Sequence, residues 1–252
     1  MTQTIIAMVN QKGGVGKTTT AINVAAQLAE KATVLLIDLD PQGNATSGLG
    51  IPKPQGKPTT YDVLCRGVSL ANVVQETHVA QLFVLPSDAN LAGAEVELVS
   101  QTQREFALQR ALQSASYDYV IIDCPPSLGL LTINALTAAK QVLIPVQAEY
   151  YALEGLSQLL NTIQAVRAST NPNLDLLGIA LTMFDKRNSL SEQVQTEVAS
   201  YFGEKLFKTM IPRNVRLAEA PSFGKTIYEH DRWSKGARSY KALAKEIADR
   251  TR

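Results

Sequence analysis

The segment Asn10-Gln11-Lys12-Gly13-Gly14-Val15-Gly16-Lys17-Thr18-Thr19 constrains this chain more than any other. It follows an apolar run, Ile5-Ile6-Ala7-Met8-Val9, that reads as a buried strand. It precedes Thr18 to Glu30, where Ala21, Val24, Ala25 and Leu28 recur at helical spacing. A glycine-rich turn from strand to helix lets successive backbone N–H groups face one point, and the helix adds the positive end of its dipole. Such a turn holds phosphate. In this register Lys17 reaches the β- and γ-phosphates of a nucleotide, and the Thr18 hydroxyl is placed to ligate Mg2+. The common form of the motif has glycine five residues before Gly16, but here Gln11 stands there and an additional lysine, Lys12, opens the glycine run. A second ammonium in so small a loop is costly unless it neutralises phosphate charge, so Lys12 is a functional candidate.

A loop of this kind needs a parallel sheet behind it, and the remaining pattern supplies one. Val34–Ile37, Leu82–Leu85, Tyr119–Ile122, Val142–Val146, Leu176–Met183 and Phe207–Ile211 read as further strands. Helical segments are predicted over about 90–114, 128–139, 152–169, 189–202 and 237–249, and 41–60, rich in Gly, Pro, Gln and Thr, reads as loop. Continuous apolar strands alternating with helices predict an α/β fold. With no repeat and no dividing linker, we expect one three-layer domain over residues 1–252, a mostly parallel twisted sheet with helices on both faces.

Composition narrows the chemistry. No apolar run approaches the roughly 20 residues that span a bilayer. The opening Met1-Thr2-Gln3-Thr4 lacks a basic n-region, so the expected compartment is the cytoplasm. Cys65 and Cys124 lie far apart, and His78 and His230 are too few and too scattered for a zinc site or a His-based triad. The net charge of +1 conceals an asymmetry: from Asp185 to Arg252 there are fourteen Lys/Arg against nine Asp/Glu, which leaves the first 184 residues at −4. A basic C-terminal third is compatible with a polyanion-binding surface and equally with a merely solvated face.

Three segments together resemble a known family. Lys12-Gly13-Gly14-Val15-Gly16-Lys17-Thr18-Thr19 resembles the deviant Walker A motif of the ParA/MinD superfamily of dimerising ATPases. Asp38-Leu39-Asp40-Pro41-Gln42-Gly43-Asn44-Ala45-Thr46 resembles its first switch, and Asp123-Cys124-Pro125-Pro126-Ser127 its Walker B end and second switch. Each charged group falls at the C-terminal end of a strand, where open α/β sheets place ligands. The resemblance runs over nearly the whole chain and is nearest to the small chromosomal ParA (Soj) branch, through Leu91–Glu95, Ser127–Ala135, Glu149–Gly155 and Ile211–Ser222. With few residues ahead of the first strand, the helix-turn-helix arm of larger plasmid ParA proteins is not expected, nor is sequence-specific operator binding.

The resemblance implies ATP and Mg2+ as cofactors, with ATP held by the loop from Lys12 to Thr19. It implies Mg2+ held by Thr18 and, through water, by Asp40 and Asp123. Lys12 would reach across an ATP-bound homodimer to the partner's phosphates, and Asp40 would orient the attacking water. Pro212 and Asn214 would hold adenine, and Glu149 would contact the partner's nucleotide. The ATP dimer would bind DNA without sequence preference through Arg187 and Arg216, with Lys186 alongside, and would associate with the nucleoid. A ParB-like protein with a basic N-terminal peptide would stimulate slow basal hydrolysis. Relatives that position carboxysomes and other cargo share these features. A MinD-like membrane switch is a rival, but the small residues on the apolar face of the terminal helix suit docking on the domain better than lipid. An iron–sulfur electron-transfer ATPase is another rival, and neither Cys65 nor Cys124 has the context of a bridging thiolate.

Overall fold

The computed structural model describes residues 3–52, 56–149 and 154–252. Within them the chain forms a seven-stranded sheet: β1 (Thr4–Met8), β2 (Val34–Asp38), β3 (Gln75–Glu76), β4 (Leu82–Leu85), β5 (Tyr119–Asp123), β6 (Gln141–Gln147) and β7 (Asp175–Thr182). The spatial order is β3-β4-β2-β5-β1-β6-β7, parallel throughout except for the two-residue β3 on β4. β1 is therefore central, paired with β5 and β6.

Each long strand is apolar on successive residues because helices cover both faces of the sheet. Ile6, Met8, Leu36, Ile121 and Leu143 point to one face, which is packed by α1 (Lys17–Leu28) and α11 (Lys235–Arg250). The shorter α2 (Asn44–Gly48), α9 (Val215–Glu219) and α10 (Ile227–Asp231) flank that layer. Ile5, Ala7, Leu35, Ile37 and Ile122 point to the opposite face. There the cover is α3 (Thr60–Arg66), α4 (Ala94–Glu97), α5 (Ala107–Leu112), α6 (Leu130–Ala138), α7 (Glu154–Ser169) and α8 (Ser189–Phe202).

The terminal helix is amphipathic, and its apolar side is core. Ser234 caps it by accepting the Ala237 N–H, and Tyr240, Leu243 and Ile247 are fully buried. The Tyr240 hydroxyl lies 3.1 Å from Thr20 Oγ1, so α11 braces the helix that leaves the phosphate loop. Burying a leucine such as Leu243 contributes on the order of 2 kcal/mol. Among the described residues no helix is long and apolar enough to cross a membrane.

Three expectations need correction. The helix predicted over 90–114 is broken into 3-10 turns and the short α4 and α5, because Gln101 is extended and Gln103 is left-handed at φ 54°. The loop predicted over 41–60 contains α2 and ends where a Thr59–Asp62 capping box starts α3. The strand predicted over 207–211 forms no ladder. Phe207 and Ile211 donate to Ile179 and Leu181 of β7, but between them the Lys208 and Thr209 N–H groups turn to the Glu246 carboxylate of α11. The predicted start of α7 at 152, and residues 150–153 of the Glu149–Gly155 segment, lie outside the described residues.

Candidate nucleotide-binding site

The loop after β1 is pinned from two strands, β6 and β7. Asn10 donates its side-chain amide to the Pro145 carbonyl of β6 (2.7 Å) and accepts the Lys12 N–H (2.9 Å). Thr182, at the end of β7, donates its hydroxyl to the carbonyl of buried Val15 (2.8 Å). Gly14 and Gly16 have φ of 75° and 85°, the left-handed region that a side chain resists. Gly16 is also the N-cap of α1, so the helix's first N–H groups open onto the loop. Inside this turn the Lys17 ammonium donates to the Lys12 carbonyl (3.2 Å). Burial pushes its pKa down, and the nearby Asp123 carboxylate opposes the shift. An ammonium that has lost water and faces exposed backbone N–H groups is ready for an anion.

The carboxylates stand beside it. Parallel pairing of β2 with β5 puts Asp38 and Asp123 in register at the strand ends. Asp123 is fully buried, and neither of its oxygens has a well-formed hydrogen bond, although the neighbouring Thr18 side chain favours its charged form. Burial and the neighbouring Asp38 charge push its pKa well above the usual carboxylate range. Asp38 is equally buried, and burial raises it to about 6 even though it accepts the Thr46 N–H and hydroxyl, each at 2.7 Å. Asp40 is nearly buried, with its Oδ1 accepting the Gln42 N–H (2.9 Å). Two orphaned buried carboxylate oxygens next to Thr18 fit a divalent cation. Among the described residues no three His, Cys, Asp or Glu converge to grip a bare ion, so the arrangement suits a cation bound together with phosphate oxygens and water.

The other predicted residues surround this centre. Lys12 lies on the exposed rim of the loop in an ion pair with Glu149, just beyond β6. Pro212 bridges to Phe184 just past β7, and Asn214 caps α9 by accepting the Arg216 N–H (2.8 Å). Phe184 also accepts the Arg213 N–H, so the turn bearing Lys186 and Arg187 adjoins the segment leading to Arg216. Both arginines are exposed and engaged: Arg187 grips Asp185 through two nitrogens (3.1 and 3.0 Å), and Arg216 pairs with Glu219 (2.9 Å). Sequence reasoning missed Asn10 and Thr182 as anchors of the loop. A polar residue at the end of an apolar strand was the available signal for each.

A glycine loop seated on the central strand of a parallel sheet, with acidic residues ending the strands beside it, defines a P-loop nucleotide-binding protein. A family model described as an AAA domain matches residues 3–176. The chain is 57% identical to the sporulation initiation inhibitor protein Soj of Bacillus subtilis over 97% of this chain and 98% of that protein. It is 55% identical to the chromosome partitioning protein ParA of Myxococcus xanthus, over 98% and 88%. It therefore belongs to the ParA/Soj family of chromosome-partitioning ATPases. Among solved structures it resembles a Mycobacterium smegmatis protein described as cobyrinic acid a,c-diamide synthase with bound ADP and magnesium. The TM-score is 0.85 and the identity 39%, over 97% of this chain and 93% of that one. It also resembles an ATP complex of a McdA variant from Cyanothece (TM-score 0.88, 26% identity, 98% and 96% covered).

Proposed function

We propose that this chain is an ATP-dependent switch for chromosome or plasmid partitioning: two protomers close over two ATP–Mg2+ and bind DNA, and hydrolysis releases them. One observation carries the reading. Lys17 occupies the inner position of the loop, while Lys12 stands on its outer rim, paired with Glu149 and able to reach a second molecule. The ion pair borders a small cavity of about 30 Å³ between the loop and β6, room for about one water. Lys12, Gly13 and Gly14 are exposed, so a nucleotide on the loop would lie on an open face that a partner protomer covers.

The residues divide the work. The N–H groups from Gly13 to Thr19 and the Lys17 ammonium bind the phosphates. Thr18 and, through water, Asp123 and Asp40 would hold Mg2+, which when bound neutralises charge on the β- and γ-oxygens. Asp40 orients water for in-line attack. Lys12 leaves Glu149 to stabilise charge on the partner's phosphates, a contact made in trans. Pro212 and Asn214 flank the adenine, and Glu149 contacts the partner's nucleotide. Arg187, Arg216 and Lys186 exchange local carboxylates for DNA phosphates, without base contacts and hence without sequence preference. Basal turnover is slow, and a ParB-like activator raises it. The chain acts in the cytoplasm on the nucleoid, and the burial of α11's apolar face supports DNA over membrane as its platform.

The test is DNA retention with magnesium and a non-hydrolysable ATP analogue. Arg216→Glu should abolish retention while ATP-dependent dimers persist, and Lys12→Ala should lose both. Retention of DNA by Arg216→Glu at the wild-type level would place the DNA surface elsewhere.

A further inference from the structure

The hydrogen bonds around Asp40 close into a ring that the phosphate loop does not require. The Asp40 N–H donates to Asp38 Oδ1 (3.3 Å). Asp38 Oδ2 accepts the hydroxyl and the N–H of Thr46. The Ser87 N–H donates to Thr46 Oγ1 (2.9 Å), and the Ser87 hydroxyl returns to the Asp40 carbonyl (2.8 Å). Asp38, Thr46 and Ser87 are all fully buried, so water does not compete for these bonds. Thr60, the first residue of α3, donates its hydroxyl to the carbonyls of Asp38 (3.0 Å) and Pro86 (2.9 Å), which ties the ends of β2 and β4 together behind the ring.

Both peptide groups of Asp40 are thereby fixed. Its N–H is held from β2, and its carbonyl is held by Ser87 and by the Gly43 N–H (2.9 Å). A buried ring of side-chain bonds is demanding to satisfy, and a loop that needed only to be folded could use backbone partners and solvent instead. Here the ring leaves the Asp40 carboxylate little freedom except rotation about its own side-chain bonds, and Gln42 restrains that.

We infer that Ser87 and Thr46 are positioning residues for Asp40: through this ring they set the direction of its carboxylate, and so the rate of the hydrolytic step, without contributing to nucleotide binding. The inference rests on the proposed water-orienting role of Asp40. Misplacing a reacting group by about 1 Å costs up to roughly 100-fold in rate, and loss of one of four ring bonds should cost about ten-fold.

The experiment measures three quantities for Ser87→Ala, Thr46→Val, Thr46→Ser and Asp40→Ala. These are partner-stimulated turnover, affinity for a fluorescent ATP analogue, and amide exchange of residues 40–43 in the analogue-bound protein. Ser87→Ala should turn over about ten-fold more slowly, bind the analogue as wild type does, and exchange faster at 40–43. Thr46→Ser keeps the hydroxyl and should restore turnover that Thr46→Val loses. Ser87→Ala added to Asp40→Ala should slow nothing further. Wild-type turnover in Ser87→Ala beside an inactive Asp40→Ala overturns the inference and leaves the proposed function standing. So does a loss of turnover matched by an equal loss of analogue affinity, which marks the ring as structural only. An active Asp40→Ala would instead remove the reading beneath it.

Discussion

Replacing Asp123 with asparagine should stabilise the nucleotide-free protein while destroying the site. The wild-type carboxylate is fully buried, lacks well-formed hydrogen bonds, and sits in register with a second buried carboxylate, Asp38. An unsatisfied buried polar group costs about 1–3 kcal/mol, and the neighbouring like charge adds to that. Asparagine removes the charge and offers Asp38 an N–H donor. Against this stands the lost attraction to Lys17, a weaker influence here than burial and Asp38. The balance favours the variant by about 2 kcal/mol, equivalent to roughly 4–8 °C in melting temperature for a domain of this size. With ATP analogue and magnesium at about 100 times Kd, wild type should gain about 2.7 kcal/mol that the variant does not, and the order reverses. Urea denaturation with and without analogue measures both. If Asp123→Asn is the less stable protein without nucleotide by 1 kcal/mol or more, the picture of an uncompensated carboxylate awaiting a cation is wrong.

Other consequences follow from the same structure. Leu243→Ala on α11 should cost about 3 kcal/mol, read by urea denaturation, because the residue is fully buried against the helix layer; a cost below 1 kcal/mol would mean the helix is not docked as described. Asp38 titrates near 6 when folded, above its ordinary 3.8, so its protonated form stabilises the fold and that contribution is lost as pH rises. Relative to Asp38→Asn, wild type should therefore lose up to roughly 3 kcal/mol between pH 4 and pH 7. A wild type that gains stability relative to Asp38→Asn as pH rises would contradict this sign. If each protomer of the ATP dimer places two or three basic residues on phosphates, log affinity for DNA against log salt should slope at about −4 to −5, and Arg187→Ala should flatten it.

The phosphate loop was legible because its demands are local: left-handed glycines, a lysine and a hydroxyl on the first helical turn, and an apolar strand ahead of them. The parallel sheet was legible because strands buried on both faces are apolar without alternation. What escaped depends on contacts distant in sequence. Lys208 and Thr209 leave the strand pattern for a carboxylate at Glu246, and no local signal announces it. The break near Gln103 rests on a left-handed residue that is not glycine. The ring through Asp38, Thr46 and Ser87 joins residues up to 47 positions apart. By contrast, the ion pairs of Arg187 with Asp185 and Arg216 with Glu219 span two and three residues and could have been anticipated.

Sedimentation velocity in magnesium and a non-hydrolysable ATP analogue tests the central claim most directly, comparing wild type, Lys12→Ala and Lys17→Ala over a wide concentration range. Wild type should shift to twice the monomer mass. Lys12→Ala should bind the analogue yet stay monomeric, and Lys17→Ala should fail to bind it. A Lys12→Ala protein that dimerises as wild type does would contradict the assignment of this lysine to its partner's phosphates.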